Sequence, residues 1–257
     1  MNFISEVWLL AERQYRSLRR QPWWIAISLA QPIVYVLFYS QLFSRMTELP
    51  GFPAGSYLEF LTPGIIVMSA LYSASFSGMG VLFDLERGVL DRFLVAPISR
   101  GAILGGRLCE GALTNMFQSL LLLGLGMLMG ARYHGGVTGV LLMLVSAMLL
   151  ALPIGALSGA LALSTRKRET IFAATNFLLL PLVMLSPTFM APTLMPSWMQ
   201  TLAKFNPVGW AVTSARAGLA GQVHLHTVAW PLARLLLFAA LALWASRQAL
   251  KRYQRTA

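Results

Sequence analysis

The chain has 257 residues, of which 57% are hydrophobic and 11% charged, with a formal net charge of +11. A soluble domain carries about 25% charged residues, and apolar runs of about 18 or more recur here, so the composition excludes a soluble enzyme in favour of a polytopic membrane protein. The basic excess is no nucleic-acid footprint, because Lys and Arg fall in short clusters beside apolar runs and not along one face.

Residues 1–22 place Phe3, Val7, Leu10 and Leu18, with Ile4, Trp8, Ala11 and Tyr15, at helical spacing, and Arg13, Arg16 and Arg20 along the other side. This pattern predicts an amphipathic helix lying on the membrane surface. No A-x-A-like site follows the first apolar run, so no cleaved leader is expected.

Residues 23–257 are expected to form one transmembrane domain of six spans, at about 23–43, 62–83, 104–130, 137–164, 170–190 and 228–246. Arg234 near the start of the sixth either snorkels to the interface or marks a span that begins later. Fifteen of the 20 basic residues flank the spans on one side, against Arg45, Arg132, Lys204 and Arg216 on the other. Cytoplasmic loops carry the Lys/Arg excess, so both termini are expected in the cytoplasm. A plasma membrane, of the bacterial inner-membrane kind, is the expected location.

On the same inner side, the loop 84–102 interrupts the apolar pattern with Asp84, Glu86, Asp91, Arg87, Arg92 and Arg100 around an apolar centre that includes Leu90, Phe93 and Leu94. Ala96-Pro97 ends any helix there, since proline lacks the N–H and restricts the residue before it. A structured amphipathic element on the inner face predicts docking of a cytosolic partner. The external segment 191–227 is punctuated by Pro192, Pro196 and Pro207. It fits two short helices, near 196–204 and 207–220, whose aromatic content suits the headgroup layer or a re-entrant hairpin. Trp198, Asn206, Pro207 and Trp210 are its candidate functional residues.

Absences are informative too. None of the three lysines follows a glycine, so no G-K-[S/T] phosphate loop exists. The carboxylates lie in loops, at span edges or in the N-terminal helix, which disfavours an ion-coupled mechanism. Cys109 is alone, His224 and His226 read as exposed loop residues, and no catalytic or metal constellation can be assembled. Gln31, Tyr35, Tyr39, Tyr72, Asn115, Gln118 and Asn176 are polar groups within spans and candidates for a translocation path. Stitching helices together, at about 1 kcal/mol each, is their ordinary role. Gly126/Gly130 and Gly155/Gly159 are G-x-x-x-G pairs expected to pack helices, and Pro32 and Pro153 are expected kinks.

These features resemble the membrane component of type-2 ABC exporters, the family that includes daunorubicin-type drug-export and Nod-factor-export permeases. The stretch Leu61–Gly80 is similar to the family's second span with its opening Pro-Gly. Glu86, Arg87, Gly88, Leu90, Phe93, Leu94 and Pro97 are similar to its E-R-x-x-G-x-L-x-x-L-x-x-x-P motif, with one spacing altered at Gly88. Phe205–Arg216 resembles its Asn-Pro element. The resemblance implies two permease subunits, identical or homologous, paired with two ATPase subunits that carry ATP and Mg. It implies no cofactor on this chain, a coupling helix after span two, and help in docking from the N-terminal helix and Arg166–Glu169. The cargo expected is an amphipathic drug-like or lipid-linked molecule, with polysaccharide or glycolipid export as the sister reading. A passive channel or an intramembrane enzyme would need polar rings or convergent ionisable groups in the spans, and would have no use for a docking loop.

Overall fold

The computed structural model describes residues 22–50, 52, 55–87 and 100–256. The expected surface helix therefore lies outside the described residues apart from Pro22, as do Gly88, Leu90, Phe93, Leu94 and Pro97 of the coupling loop. Among the described residues the protein is helical, without strands.

Six helical segments correspond in order to the six expected spans. They are α1 (Pro22–Leu42), α2 (Tyr57–Ser75) with α3 (Ser77–Glu86), α4 (Arg100–Leu128), α5 (Gly136–Thr165), α6 (Arg168–Met184) and α9 (Trp230–Thr256). Between the last two lie α7 (Ser197–Ala203) and α8 (Pro207–Leu219). Among the described residues, four stretches are long and apolar enough to cross a membrane: Tyr57–Glu86, Gly111–Leu128, Gly136–Thr165 and His226–Gln248. Helix α1 has 21 residues, about 31 Å of helix, and α6 has 17, about 25 Å.

Local chemistry sets the ends. Ser56 and Glu59 form a reciprocal capping box, the Ser56 hydroxyl accepting from the Glu59 N–H at 3.2 Å while the Ser56 N–H donates to Oε2 of Glu59 at 3.3 Å. That box starts span two at Tyr57, five residues earlier than expected, and explains why a carboxylate sits at its edge. Gly130 closes α4 at φ +100°, with the Ala131 N–H returning to the Gly126 carbonyl at 3.0 Å. Gly130 is thus a terminator and not a packing partner of Gly126, whereas Gly155 and Gly159 do face α3, through Ser77 and Val81.

The core forms around α2, buried along almost its whole length from Tyr57 to Ser75. It packs on α1, α4, α5 and α8, while α5 also bears α3, α6 and α9. Leu61, Ile65, Ile66 and Leu71 are fully buried there. Exposed apolar side chains such as Phe38, Phe177, Leu237 and Trp244 lie on outer helix faces, as expected where lipid is the solvent.

Candidate functional site: an inner hinge and a buried outer helix

Span two is not one helix. It breaks at Phe76, where the backbone turns to φ −88° and ψ −2°. The Met79 N–H turns to the Phe76 carbonyl at 3.0 Å, leaving the Ser75 carbonyl to side chains. Ser158 Oγ of α5 donates to it at 2.5 Å and Thr175 Oγ1 of α6 at 3.4 Å. Ser158 Oγ also accepts from the Gly78 N–H at 3.1 Å, and Ser77 Oγ donates to the Gly155 carbonyl at 3.3 Å. A backbone break at membrane depth survives only when neighbours satisfy the freed groups, and here two helices do so. Gly78 is required by the close approach: a Cβ on it would sit 2.4 Å from the Ser158 carbonyl oxygen. Helices α1 and α5 continue through Pro32 and Pro153, so neither proline ends its helix. The expected span runs unbroken through this point, and the one local feature that sets it apart is the run of small residues Ser73–Gly80 (SASFSGMG).

The short helix α3 leads from this break into the loop 84–102, the expected coupling element. Asp84, Glu86 and Arg87 lie at its end, and the Glu86 carboxylate pairs with the Arg168 guanidinium at the start of α6, one bond running from Nε to Oε1 at 3.1 Å. The guanidinium also lies 4.6 Å from the Phe83 ring centroid. The end of α3 and the short turn 166–169 between α5 and α6 are thus far apart in sequence but held at one point. Arg166, which ends α5, adopts the left-handed region at φ +52°, its N–H bonded to the Ala162 carbonyl at 3.0 Å. That conformation is uncommon outside glycine and lets the chain turn from α5 into α6 within two residues.

At the opposite end of the bundle, α8 is packed inside the protein. Asn206 caps it, Oδ1 accepting from the Val208 N–H at 2.9 Å, with Pro207 at the first helical position. Nδ2 of the same Asn206 donates to the Leu182 carbonyl at 2.7 Å, tying α8 to the end of α6. Trp210 Nε1 donates to the Lys204 carbonyl at 2.7 Å, while Trp198 on α7 is exposed. Against α5 the approach is close enough that a Cβ on Gly139 would meet the Gly218 carbonyl at 2.3 Å.

Sequence reasoning treated Arg216 only as an external charge. The structure makes it a part-buried tie between α8, α2 and the turn after α6. Its Nε and Nη2 both donate to the Phe60 carbonyl, at 3.1 and 3.0 Å, and Nη2 reaches the Pro187 carbonyl at 2.9 Å. The guanidinium carbon lies 3.5 Å from the Phe60 ring centroid. The planar fork of arginine suits two carbonyls and a ring face together, which an ammonium cannot match.

The candidate path residues divide. Gln31 Nε2 donates to the Tyr35 hydroxyl at 3.0 Å, and Tyr35 meets Tyr39 edge to face at 5.5 Å. Tyr39 continues to Phe43 at 5.6 Å and Phe189 at 5.1 Å, and Phe43 to Tyr57 at 5.7 Å. Tyr72 is half-buried on α2. Asn115 and Gln118 are buried on α4, Gln118 Nε2 donating to Ser28 Oγ at 2.7 Å and so stitching α4 to α1. Asn176 is exposed on α6, its Nδ2 bonded to the Phe172 carbonyl at 2.9 Å within its own helix. Gln31, Tyr35 and Tyr39 therefore form one line along α1, with Tyr72 of α2 close enough to Tyr35 to interact with it electrostatically.

With this geometry in hand, comparison with known proteins is specific. The profile of the ABC-2 type transporter membrane family matches residues 5–220. Relatives include the daunorubicin resistance ABC transporter permease protein DrrB1 of Streptomyces coeruleorubidus, 28% identical over 72% of this chain and 64% of its own length. The putative transport permease ycf38 of Cyanophora paradoxa is 29% identical over 83% of this chain and 74% of its own length. The inner membrane transport permease YadH of Escherichia coli K12 is 26% identical, over 85% and 83% respectively. The match to the daunorubicin permease thus spans less than two thirds of that relative. The family match takes in the helices from α1 to α8, together with the Asn-Pro element: the chain belongs to the ABC-2 type transporter membrane family and is a membrane permease subunit of an ABC transporter.

Proposed function

We propose that this permease exports an amphipathic, drug-like or lipid-linked molecule across a bacterial inner membrane, driven by a separate ATPase subunit that binds ATP and Mg. Two permease copies, identical or homologous, make the working unit, with both termini and the loop 84–102 in the cytoplasm. The observation that carries this reading is the hinge at Phe76. A ten-residue helix, α3, lies between a satisfied backbone break and the coupling loop, and its far end is held to α6 by Glu86 and Arg168. Such an arrangement lets a push on the loop swing α3 while α2 stays locked in the core. Conformational changes of this kind use a few element-terminal residues as hinges.

Glu86, Arg87 and Gly88 lead into the docking element, with Leu90, Phe93 and Leu94 as its apolar side and Pro97 as its stop. The N-terminal helix and Arg166–Glu169 complete the docking surface. The aromatic line along α1 supports an apolar cargo over a glycan, since its rings are spent on one another: Tyr39 and Phe43 stack at an interplanar angle of 13°. Co-expression with the cognate ATP-binding subunit tests the proposal: capture of that subunit by the tagged permease, and ATP-dependent efflux from cells carrying both, are expected. A permease that moves cargo without ATP or partner would overturn it.

A further inference from the structure

Arg234 poses a physical problem that its protein neighbours only half solve. It lies within His226–Gln248, one of the stretches able to cross the membrane, and it is exposed. Its guanidinium turns back toward the start of α9, with its carbon 5.5 Å from the Trp230 ring centroid and 5.7 Å from that of Trp210. Helical side chains lean toward the N-terminus, so this is the direction in which a cation near the end of a span reaches the interface. One N–H approaches the Lys204 carbonyl at 3.4 Å. Five N–H donors are present on a guanidinium, so most remain available. Lys204 is also exposed, and among the described residues no carboxylate pairs with either cation. Large apolar side chains of the same segments are open: Phe205, next to Lys204 in sequence, is 76% exposed, Trp230 60% and Trp198, on α7, 58%.

We infer that Lys204 and Arg234 form a site for an anionic phospholipid, its phosphate held by the two cations and its glycerol and upper acyl chains lying on Trp198, Phe205 and Trp230. A lipid-exposed cation at this depth is costly without an anion, and the phosphate layer is the anion a bilayer offers. Indole rings favour the same layer. Two cations, with the Arg234 guanidinium reaching the Lys204 backbone, prefer a headgroup with net negative charge over a zwitterionic one, because the positively charged ammonium group of the latter is repelled. The site depends on the membrane placement of α9, not on the export direction or the ATPase: it faces the leaflet at the α7–α8 end, which is the external leaflet in the topology proposed above.

Lipid retention measured by native mass spectrometry on the full chain, released from detergent, tests this. The chain is titrated with phosphatidylglycerol, phosphatidylcholine or inorganic phosphate. Phosphatidylglycerol is expected to be retained at least tenfold better than phosphatidylcholine. Arg234→Gln and, separately, Lys204→Gln should each remove most of that preference, while Arg247→Gln, toward the other end of α9, leaves it intact. Lys204→Gln keeps the test decisive if Arg234→Gln disturbs the indoles, since the Lys204 side chain has no ion-pair partner to lose. Equal retention of both lipids, an unchanged preference in both glutamine variants, or displacement of the lipid by millimolar phosphate would each overturn the inference.

Discussion

Ser158 Oγ donates to the Ser75 carbonyl at 2.5 Å across 83 residues of sequence, from the middle of α5 to the break between α2 and α3. The same hydroxyl accepts from the Gly78 N–H at 3.1 Å. One small side chain therefore serves both sides of the interruption. Replacing it with alanine leaves a buried carbonyl with only the longer Thr175 contact and a buried N–H without its hydroxyl, at about 1–3 kcal/mol for each orphaned group. Ser158→Ala should lower the thermal unfolding midpoint in detergent and increase hydrogen exchange over 77–86, with Thr175→Ala clearly milder. Unaltered exchange in α3 would show that the hinge is held by something else.

Gly78 offers a steric version of the same test. Its missing Cβ would lie 2.4 Å from a backbone oxygen, and backbone cannot step aside as a side-chain tip can. Gly78→Ala should destabilise by about 1–3 kcal/mol, the range for overpacking a filled site. Gly124→Ala, where nothing lies within 4 Å, should be neutral or slightly stabilising, because alanine gains up to about 1 kcal/mol over glycine in a helix. Measured side by side in thermal unfolding, the two glycines of one bundle should behave oppositely.

Arg216 should prove the most demanding position at the α8 end. Hydrogen bonds to a charged donor are worth about 1.5–3 kcal/mol each, and its guanidinium makes three, to Phe60 and Pro187. Arg216→Leu should lose folded yield, and Arg216→Lys should recover only part, since an ammonium cannot span both carbonyls and the Phe60 ring together. Size-exclusion yield and unfolding midpoint of the two variants provide the check; full rescue by lysine would reduce Arg216 to a simple charge.

What the residues disclosed in advance follows from which forces are local. Period and apolar length placed the helices, and the prolines placed α7 and α8 within a residue or two, because these signals act over a few neighbours. Asn206 stood out beforehand only as part of the Asn-Pro element; its capping of α8 became visible with the structure. The break at Phe76 and the partial burial of Arg216 were not legible in the residues, since each is stabilised from distant segments: Ser158 and Thr175 in one case, Phe60 and Pro187 in the other. Hydroxyls along an apolar helix look alike until the helix they face is known. The G-x-x-x-G spacing at Gly126/Gly130 misled for a related reason, as it does not distinguish a packing glycine from a left-handed terminator.

Topology is testable at single positions. Fusions after Arg20, Arg100, Arg168 and Arg255 should report a cytoplasmic location, and those near Glu48, Tyr133 and Gln222 an external one, following the asymmetry of the basic residues. An external signal at Arg168 would break the six-span arrangement and separate that residue from the docking face.

The ion pair at the inner joint should matter for coupling more than for folding, because both partners are substantially exposed, at 44% for Arg168 and 42% for Glu86, and exposed pairs contribute little to stability. Glu86→Arg should leave the unfolding midpoint nearly unchanged yet reduce transport per ATP hydrolysed. The double exchange Glu86→Arg with Arg168→Glu should restore much of it.

The central claim, that the loop after span two is where an ATPase grips this permease, is tested most directly by quantitative capture of the ATP-binding subunit on tagged permease with and without Phe93→Ala. A buried aromatic anchor is worth about 2 kcal/mol or more at an interface, so the variant should still insert in the membrane and dimerise while its partner affinity falls about thirtyfold. Undiminished capture, together with unaltered transport, would contradict the account and leave the loop as a membrane-flanking turn.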